Sequence, residues 1–186
     1  HPVYDENVIY VLNETTSSIV YRNNEDYVSL VKGNEARENV VDKIVFKNVI
    51  IEGEEKNTLK EPLIVDSKYT ELENVKIASL SVNKKPLFQV SNNNDVLYVK
   101  DVTFENNIVK NNYMEAAPIL IRLDGKLIVA SESFFDIKNN ISKEVAENDA
   151  AMVHMGHDGV NVLNGNLHIK DNVFTSQSKR RVLYVS

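Results

Sequence analysis

An eight-residue pattern recurs along this chain and constrains its fold more than any other feature. The stretches LYVKDVTF (97–104), LIVASESF (127–134) and LHIKDNVF (167–174) share aliphatic first and third residues, a small polar fifth residue and Phe at the eighth position. IVFKNVII (44–51) and TELENVKI (70–77) are looser copies. A short apolar segment follows each copy, so the repeating unit consists of short strands separated by turns.

The spacing of the copies indicates a solenoid. Steps of 26, 27, 30 and 40 residues separate the third positions, which are Phe46, Leu72, Val99, Val129 and Ile169. Self-similarity at about 20–50 residues is typical of solenoids. Helical solenoids are disfavoured because the apolar residues alternate with period two and are β-branched or aromatic. The sequence therefore predicts an all-β, single-stranded, right-handed parallel β-helix of about five to seven coils.

The repeat also predicts which residues stack on one another. The eighth positions would place Phe104, Phe134 and Phe174 in an internal aromatic ladder. The fifth positions would line a corner, because Asn, Asp and Ser form turns by bonding nearby backbone N–H groups. These positions are Asn48, Asn74, Asp101, Ser131 and Asp171. The chain has 24 Asn but 6 Gly and 4 Pro, which points to many sharp corners of one kind.

Composition limits the function classes. The chain has no Cys, which excludes thiol catalysis, thiolate metal sites and disulfides. A net charge of -6 with dispersed basic residues argues against nucleic-acid binding. No apolar run approaches the roughly 20 residues that span a bilayer. We expect one domain over 1–186, with 1–40 as irregular first coils or a cap and 41–186 as regular repeats, in a fragment of a longer protein.

The stretch LYVKDVTFENN (97–107), followed by AAPILI, resembles the passenger repeats of the polymorphic outer-membrane (Pmp-type) autotransporters and related adhesin-like β-helices. Those repeats combine an L-x-I strand, an F-x-x-N turn and a small-residue strand. LIVASESF followed by DAAMVHM has the same order, and the resemblance covers roughly residues 40–186. It implies a secreted or surface-exposed adhesive passenger, extracellular or on the cell surface, with no cofactor and no catalysis.

The stretch after Phe134, FDIKNNISKEVAENDA, accounts for the longest step and is expected to protrude as a loop, where solenoids often bind partners. We therefore expect binding of host or matrix glycans or surface proteins, with the main contact region at residues 138–160. The candidate binding residues are Asn139, Asn140, Lys143, Glu144, Glu147, Asn148 and His157. NET at Asn13 and NIS at Asn140 match the N-glycosylation motif, although chance also explains them in so Asn-rich a chain.

Two other functions remain open, a polysaccharide lyase or hydrolase and a structural stalk. GHDG (156–159) and HIK (168–170) are similar to the Gly-His-Gly and basic-Ile-Lys motifs of polygalacturonase-like enzymes, which makes His157 and Asp158 the alternative catalytic residues. Inverting hydrolysis needs two carboxylates roughly 6.5–9.5 Å apart. Carboxylates are available at Asp149, Asp158 and Asp171, but the Asn-Thr-Asp and Asp-Asp motifs of those enzymes are absent.

A metal site is the remaining alternative for the histidines. His154, His157, His168 and Asp158 have side chains that can ligate metals. However, His154 and His157 would point to opposite faces of a strand. We therefore predict no metal, and expect His154 and His168 to be outward-facing strand residues.

Overall fold

Every regular element in the described part of the chain is a β-strand. The computed structural model describes residues 9–13, 18–21, 29–31, 41–53, 63–65, 67–83, 86–90, 95–110, 118–143, 151–155, 161–175 and 181–185. The strands are β1 (Ile9–Asn13), β2 (Ser18–Tyr21), β3 (Ser29–Val31), β4 (Val41–Gly53), β5 (Leu63–Val65), β6 (Ser67–Ala78), β7 (Ser81–Asn83), β8 (Phe88–Val90), β9 (Val96–Glu105), β10 (Ile108–Lys110), β11 (Pro118–Leu123), β12 (Lys126–Val129), β13 (Phe134–Lys138), β14 (Ile141–Lys143), β15 (Ala151–Met155), β16 (Val162–Leu163), β17 (Asn166–Lys170), β18 (Val173–Thr175) and β19 (Arg181–Val185).

The strands form three parallel sheets. Sheet A has nine strands and contains the path β1-β4-β6-β9-β12-β16, with β2, β13 and β17 paired alongside. Sheet B has the order β19-β15-β11-β8-β5-β3, and sheet C has the order β18-β14-β10-β7. The chain visits sheets A, C and B in turn through β6, β7 and β8, and again through β9, β10 and β11. This repeated circuit is a parallel β-helix, as the sequence repeat predicts.

The stack contains about three complete coils with a buried interior, which are β6–β8, β9–β11 and β12–β15. The sequence predicts five to seven coils, so this count is lower. Strands β1–β5 on one side and β16–β19 on the other extend the sheets beyond these coils. Residues 9–13 and 18–21 already pair in register with β4, inside the region expected to be irregular.

The interior is filled by residues that occupy the same position in successive coils. Leu72, Val99 and Val129 are neighbours in register, and each is at most 1% exposed. Burying one such aliphatic or aromatic side chain stabilises the fold by about 1.5–3 kcal/mol. Phe104 links the sheets, because its ring lies edge-on to Phe88 with centroids 5.4 Å apart. Coil-on-coil stacking of apolar side chains therefore holds the solenoid together.

The predicted ladder of Phe104, Phe134 and Phe174 is wrong. Ile137 pairs with Phe104, while Phe135 is buried two register positions earlier, opposite Val102. Phe134 is 37% exposed. Phe174 lies on β18 in sheet C, on a different side of the coil.

A corner of variable length causes this shift. Val102 comes three residues after Val99, whereas its partner Phe135 comes six residues after Val129, the partner of Val99. The longer corner shifts the register of every later residue in this coil relative to the coil before it. As a result, the stretch that begins at Leu167 aligns with Phe135, and the repeat between these coils is 32 residues, as between Asp136 and His168. The expected 40-residue step therefore came from an incorrect alignment.

The solenoid has two rows of left-handed corner residues where one was predicted. The first contains Asn48, Asn74 and Asp101, as expected, with φ of 56°, 51° and 56°. Asp171 instead belongs to a second row at the junction of sheets A and C, made by Ser79, Asn106, Asn139 and Asp171. In the corner after Val129 the left-handed residue is Glu132, with φ 54°, rather than Ser131. Short polar side chains tolerate this conformation through local hydrogen bonds, which explains the abundance of Asn.

Candidate functional site

The predicted binding loop is only partly described by the structure. Asn139 is exposed in the second corner row with φ 56°, and Lys143 is exposed at the end of β14. The other predicted residues lie outside the described residues, namely Glu144, Glu147, Asn148 and His157, together with the alternative catalytic residue Asp158. Of the remaining carboxylates, Asp171 is exposed in the second corner row, and Asp149 also lies outside the described ranges.

Asn140 is not an exposed loop residue, so that prediction is wrong. Its side chain is 1% exposed and points into the corner between sheets A and C. The Asn140 amide donates to Phe104 O at 3.1 Å and to Asn172 Oδ1 at 3.0 Å. Its Oδ1 accepts hydrogen bonds from the backbone N and the Nδ2 of Asn107, both at 3.0 Å. All of its hydrogen-bonding groups are used, so the folded protein offers Asn140 neither to a ligand nor to a glycosylating enzyme.

Asn107, Asn140 and Asn172 form a continuous ladder, which we call the asparagine ladder. Asn107 repeats the same bonds one coil earlier, accepting from Leu80 N at 3.0 Å and donating to Ile77 O at 3.1 Å. Buried polar groups are costly unless paired, so a ladder that satisfies them can fix the register of the coils. It anchors the exposed residue Asn139 immediately beside it.

The sequence contains a signal for this ladder. FENN (104–107), IKNN (137–140) and IKDN (169–172) each place an inward apolar residue three positions before the ladder asparagine. The three stretches align in the structure because Phe104, Ile137 and Ile169 are register partners. The F-x-x-N pattern matches only the first of these stretches, because Ile replaces Phe in the other two.

The histidines do not converge in the described part of the chain. His168 is exposed on β17 in sheet A, as predicted, with its Nδ1 2.9 Å from Asp136 Oδ1. His154 is on β15 in sheet B, in register with Arg122. Among the residues that the structure describes, no three His, Asp or Glu side chains form a group able to hold a metal ion.

The outward side of sheet A carries an aromatic surface that the sequence patterns did not reveal. Alternation along β6 buries Thr70 and Leu72 and turns Tyr69 outward. The start of β6 is held by Ser67, whose Oγ donates to Tyr69 O at 2.7 Å and lies 3.1 Å from Thr70 Oγ1. Tyr98 points outward from β9 one coil later.

The two tyrosines stack although they are not register partners. Tyr69 pairs with Val96, and Glu71 pairs with Tyr98, so the tyrosines are diagonal neighbours. Their ring centroids are 6.4 Å apart and their planes are inclined by 26°. Lys43 Nζ lies 5.2 Å from the centroid of the Tyr69 ring, within the range of a cation–π contact.

Half-buried aliphatic side chains continue this surface. Val96 lies beside Tyr69, and Ile128 lies beside Tyr98 in the next coil. We call the outward side chains of Lys43, Tyr69, Val96, Tyr98 and Ile128 the tyrosine face. Burial raises the pKa of Tyr69 above its ordinary value of 10.0, with smaller contributions from the charges of Glu71 and Tyr98. Tyr69 is therefore a neutral phenol at neutral pH.

Stacked charges of alternating sign border the tyrosine face. Glu73 Oε1 lies 3.9 Å from Lys47 Nζ and 3.8 Å from Lys100 Nζ. A similar group beyond the first corner joins Glu105 to Lys76 and Lys138. Opposite charges next to each other on neighbouring strands are favourable, so Glu73 and Glu105 each stabilise two lysines of sheet A.

Comparisons of the chain with protein-family models, curated proteins and solved structures find no match. In the described ranges there is also no helix of the length and apolarity needed to cross a membrane. The function therefore has to be argued from the surfaces of the solenoid.

Proposed function

We propose that this chain is the β-helix of a secreted or surface-exposed adhesin-like protein, and that it binds an extended glycan on the tyrosine face. The observation that carries the proposal is the stacked pair Tyr69 and Tyr98, which is partly exposed on the outward side of a parallel sheet. Partners of this kind include the glycans, or glycan-bearing proteins, of a host surface or matrix.

The chemistry of the tyrosine face suits a sugar chain. A pyranose ring has an apolar C–H side, which packs on an aromatic ring, and polar hydroxyls at its edge. Tyrosine offers both a large apolar surface and a phenol that can exchange hydrogen bonds. The side chains of Glu73 and Lys100 lie along the border, where they can bind hydroxyl groups. Binding sites commonly combine an apolar centre with polar groups at the rim.

The regular geometry of the sheet favours an extended ligand. Outward side chains repeat at every coil, roughly 4.8 Å apart along the axis. Val96 extends the apolar surface from Tyr69 to the next coil, and Ile128 does the same from Tyr98. A linear polymer can therefore make similar contacts at successive coils, so that weak individual contacts add up.

The experiment is an incubation of the purified protein with neutral and acidic polysaccharides and with surface glycoproteins, scored both for retained ligand and for new reducing ends. Retention without new chain ends is the expected result. New chain ends would replace the proposal with a polysaccharide-degrading enzyme. If no ligand in the panel is retained, the chain acts as a stalk that spaces other domains, and the proposal is wrong.

A further inference from the structure

Sheet C presents a second outward surface with different chemistry. Its outward positions form two rows that run along the solenoid axis, an apolar row and a basic row. The apolar row is Ile108, Ile141 and Val173, and the basic row contains Lys110 and Lys143, with Asn83 at the same position one coil earlier. We call this surface the lysine face.

Two lysines lie side by side on the lysine face. Lys110 and Lys143 are register partners on β10 and β14, so their backbones are separated by one strand spacing, about 4.8 Å. Lys143 is exposed and Lys110 is half-buried. Within the part of the chain that the structure describes, the ion pairs formed by lysine involve other residues, and neither of these two ammonium groups takes part in one.

Adjacent lysines also occur on sheet A, where Lys138 and Lys170 are register partners, but there Lys138 is 3.8 Å from the carboxylate of Glu105. Like charges directly opposite each other on neighbouring strands are unfavourable. On sheet A the chain avoids this by placing Glu73 between Lys47 and Lys100. On sheet C the positive charges of Lys110 and Lys143 are left without an acidic neighbour in the same row, so an anion from outside the chain can bind between them.

The apolar row beside the lysines narrows the class of ligand. Val173 is 49% exposed, and Ile108 and Ile141 are half-buried. A ligand on the lysine face would therefore meet an apolar strip alongside its anionic groups. A polysaccharide chain with sulfate or carboxylate substituents has both, because its rings carry C–H groups between the charged substituents.

We propose that the lysine face is a second binding site, specific for a linear acidic polysaccharide with an anionic group held between Lys110 and Lys143. The lysine face and the tyrosine face are on different sheets. Binding of acidic polysaccharide to the lysine face can therefore be tested separately from binding of neutral glycan to the tyrosine face. It includes Lys143, a residue that the sequence assigned to binding. The net charge of the chain is -6, so general electrostatic attraction does not favour a polyanion, and binding requires a local basic site.

Among the described residues, the exposed carboxylate of Asp171 borders this site. Asp171 belongs to the second corner row, two residues before Val173, and its charge opposes binding of an anion nearby. The substitution Asp171→Asn removes that charge and keeps a residue that tolerates the left-handed conformation. It should therefore strengthen binding of the acidic polymer.

The test compares dextran sulfate with uncharged dextran on the whole chain at physiological ionic strength. Replacing both Lys110 and Lys143 by Gln should weaken dextran sulfate binding by at least about tenfold, because charge-assisted contacts are lost. The matched control replaces Lys47 and Lys100 by Gln. It removes the same charge from two lysines that share an ion pair with Glu73, and affinity should change by less than about threefold.

Three results would overturn the proposal. One is equal weakening by the two double variants, which would mean that overall charge governs binding. Another is tighter binding of polyglutamate than of dextran sulfate, which would indicate an acidic protein partner. The third is unchanged dextran sulfate affinity in the Lys110 and Lys143 double variant, whose folded state is checked by circular dichroism. Retention of neutral glycans on the tyrosine face should be unchanged in the Lys110 and Lys143 double variant, so its loss there would count against the separation of the two sites.

Discussion

The asparagine ladder should be indispensable to the stability of the solenoid, and Asn140→Ala tests this most sharply. The substitution removes a buried amide that bonds to both neighbouring coils at 3.0–3.1 Å. The backbone N–H of Asn107 and the carbonyl of Phe104 each lose a partner, and so does the side chain of Asn107. None of these groups can turn to solvent, since Asn107 and Phe104 are both 0% exposed.

The expected loss of unfolding free energy follows from these buried groups, which would be left without a hydrogen-bond partner. Leaving one buried donor or acceptor unpaired costs about 1–3 kcal/mol. With the backbone N–H of Asn107 and its side-chain amide both affected, Asn140→Ala should lower the free energy of unfolding by about 3–5 kcal/mol. For a chain of this length such a loss lowers the midpoint of thermal unfolding by roughly 10 °C.

The assay is denaturant unfolding followed by far-ultraviolet circular dichroism, with Asn139→Gly as the matched control. Asn139 is adjacent in sequence but exposed, with φ 56°, where Gly is unstrained. The control should change the free energy of unfolding by less than about 1 kcal/mol. If Asn140→Ala costs no more than the control, the ladder does not stabilise the fold and this reasoning is refuted.

Three further predictions concern the core, the corner between β16 and β17, and the response to pH. Phe135→Ala should lower the free energy of unfolding by about 3–5 kcal/mol, because Phe135 is 0% exposed. Phe134→Ala should lower it by less than about 1 kcal/mol, because Phe134 is 37% exposed. Equal losses in denaturant unfolding would contradict the register. Gly165→Ala should destabilise by about 1–3 kcal/mol, because a Cβ there would collide with two backbone carbonyl oxygens of the preceding coil; an unchanged thermal midpoint would contradict that packing. The raised pKa of Tyr69 means that the folded state holds this proton more tightly than the unfolded chain, so its contribution to stability is complete below pH 10.0 and declines as pH rises through the folded pKa. Tyr69→Phe should reduce this alkaline decline, measured as unfolding free energy against pH, and an identical decline in the variant would show that other groups cause it.

The first half of the repeat is predictable from sequence because its coils are of nearly constant length. The steps from Phe46 to Leu72 and from Leu72 to Val99 agree with the pairing in the structure. The left-handed corner at Asn48, Asn74 and Asp101 follows from the same alignment. Where strand and corner lengths are the same in each coil, residues at equivalent positions of the sequence repeat stack on one another.

The second half is not predictable in this way, because one corner changes length. The extra residues after Val129 leave the local strand pattern intact but displace its alignment with the coil below. The apparent match of Phe134 to Phe104 is therefore a coincidence of spacing. The sequence predicts an exposed Asn140 for a related reason. The burial of Asn140 depends on stacking against Asn107 in the neighbouring coil and not on its neighbours in sequence.

The tyrosine face depends on register alone. Tyr98 is the second residue of its copy of the repeat, whereas Tyr69 immediately precedes the copy at 70–77, and neither position is tyrosine in the other copies. They meet because parallel pairing places β6 beside β9 with a 27-residue offset, as between Leu80 and Asn107, which makes the two rings diagonal neighbours. Diagonal contacts between large side chains are common in sheets, but predicting one requires the pairing first.

Calorimetric titration of Tyr98 variants with the best-retained neutral glycan tests glycan binding by the tyrosine face most directly. Tyr98→Ala removes the aromatic platform, and Tyr98→Phe keeps it without the hydroxyl. Phe134→Ala serves as a control that removes an exposed aromatic ring elsewhere. We predict that Tyr98→Ala weakens binding by at least about tenfold, that Tyr98→Phe stays within about fivefold of the unmodified chain, and that Phe134→Ala has no effect. Unchanged affinity in Tyr98→Ala, with the fold intact, would contradict the proposed function.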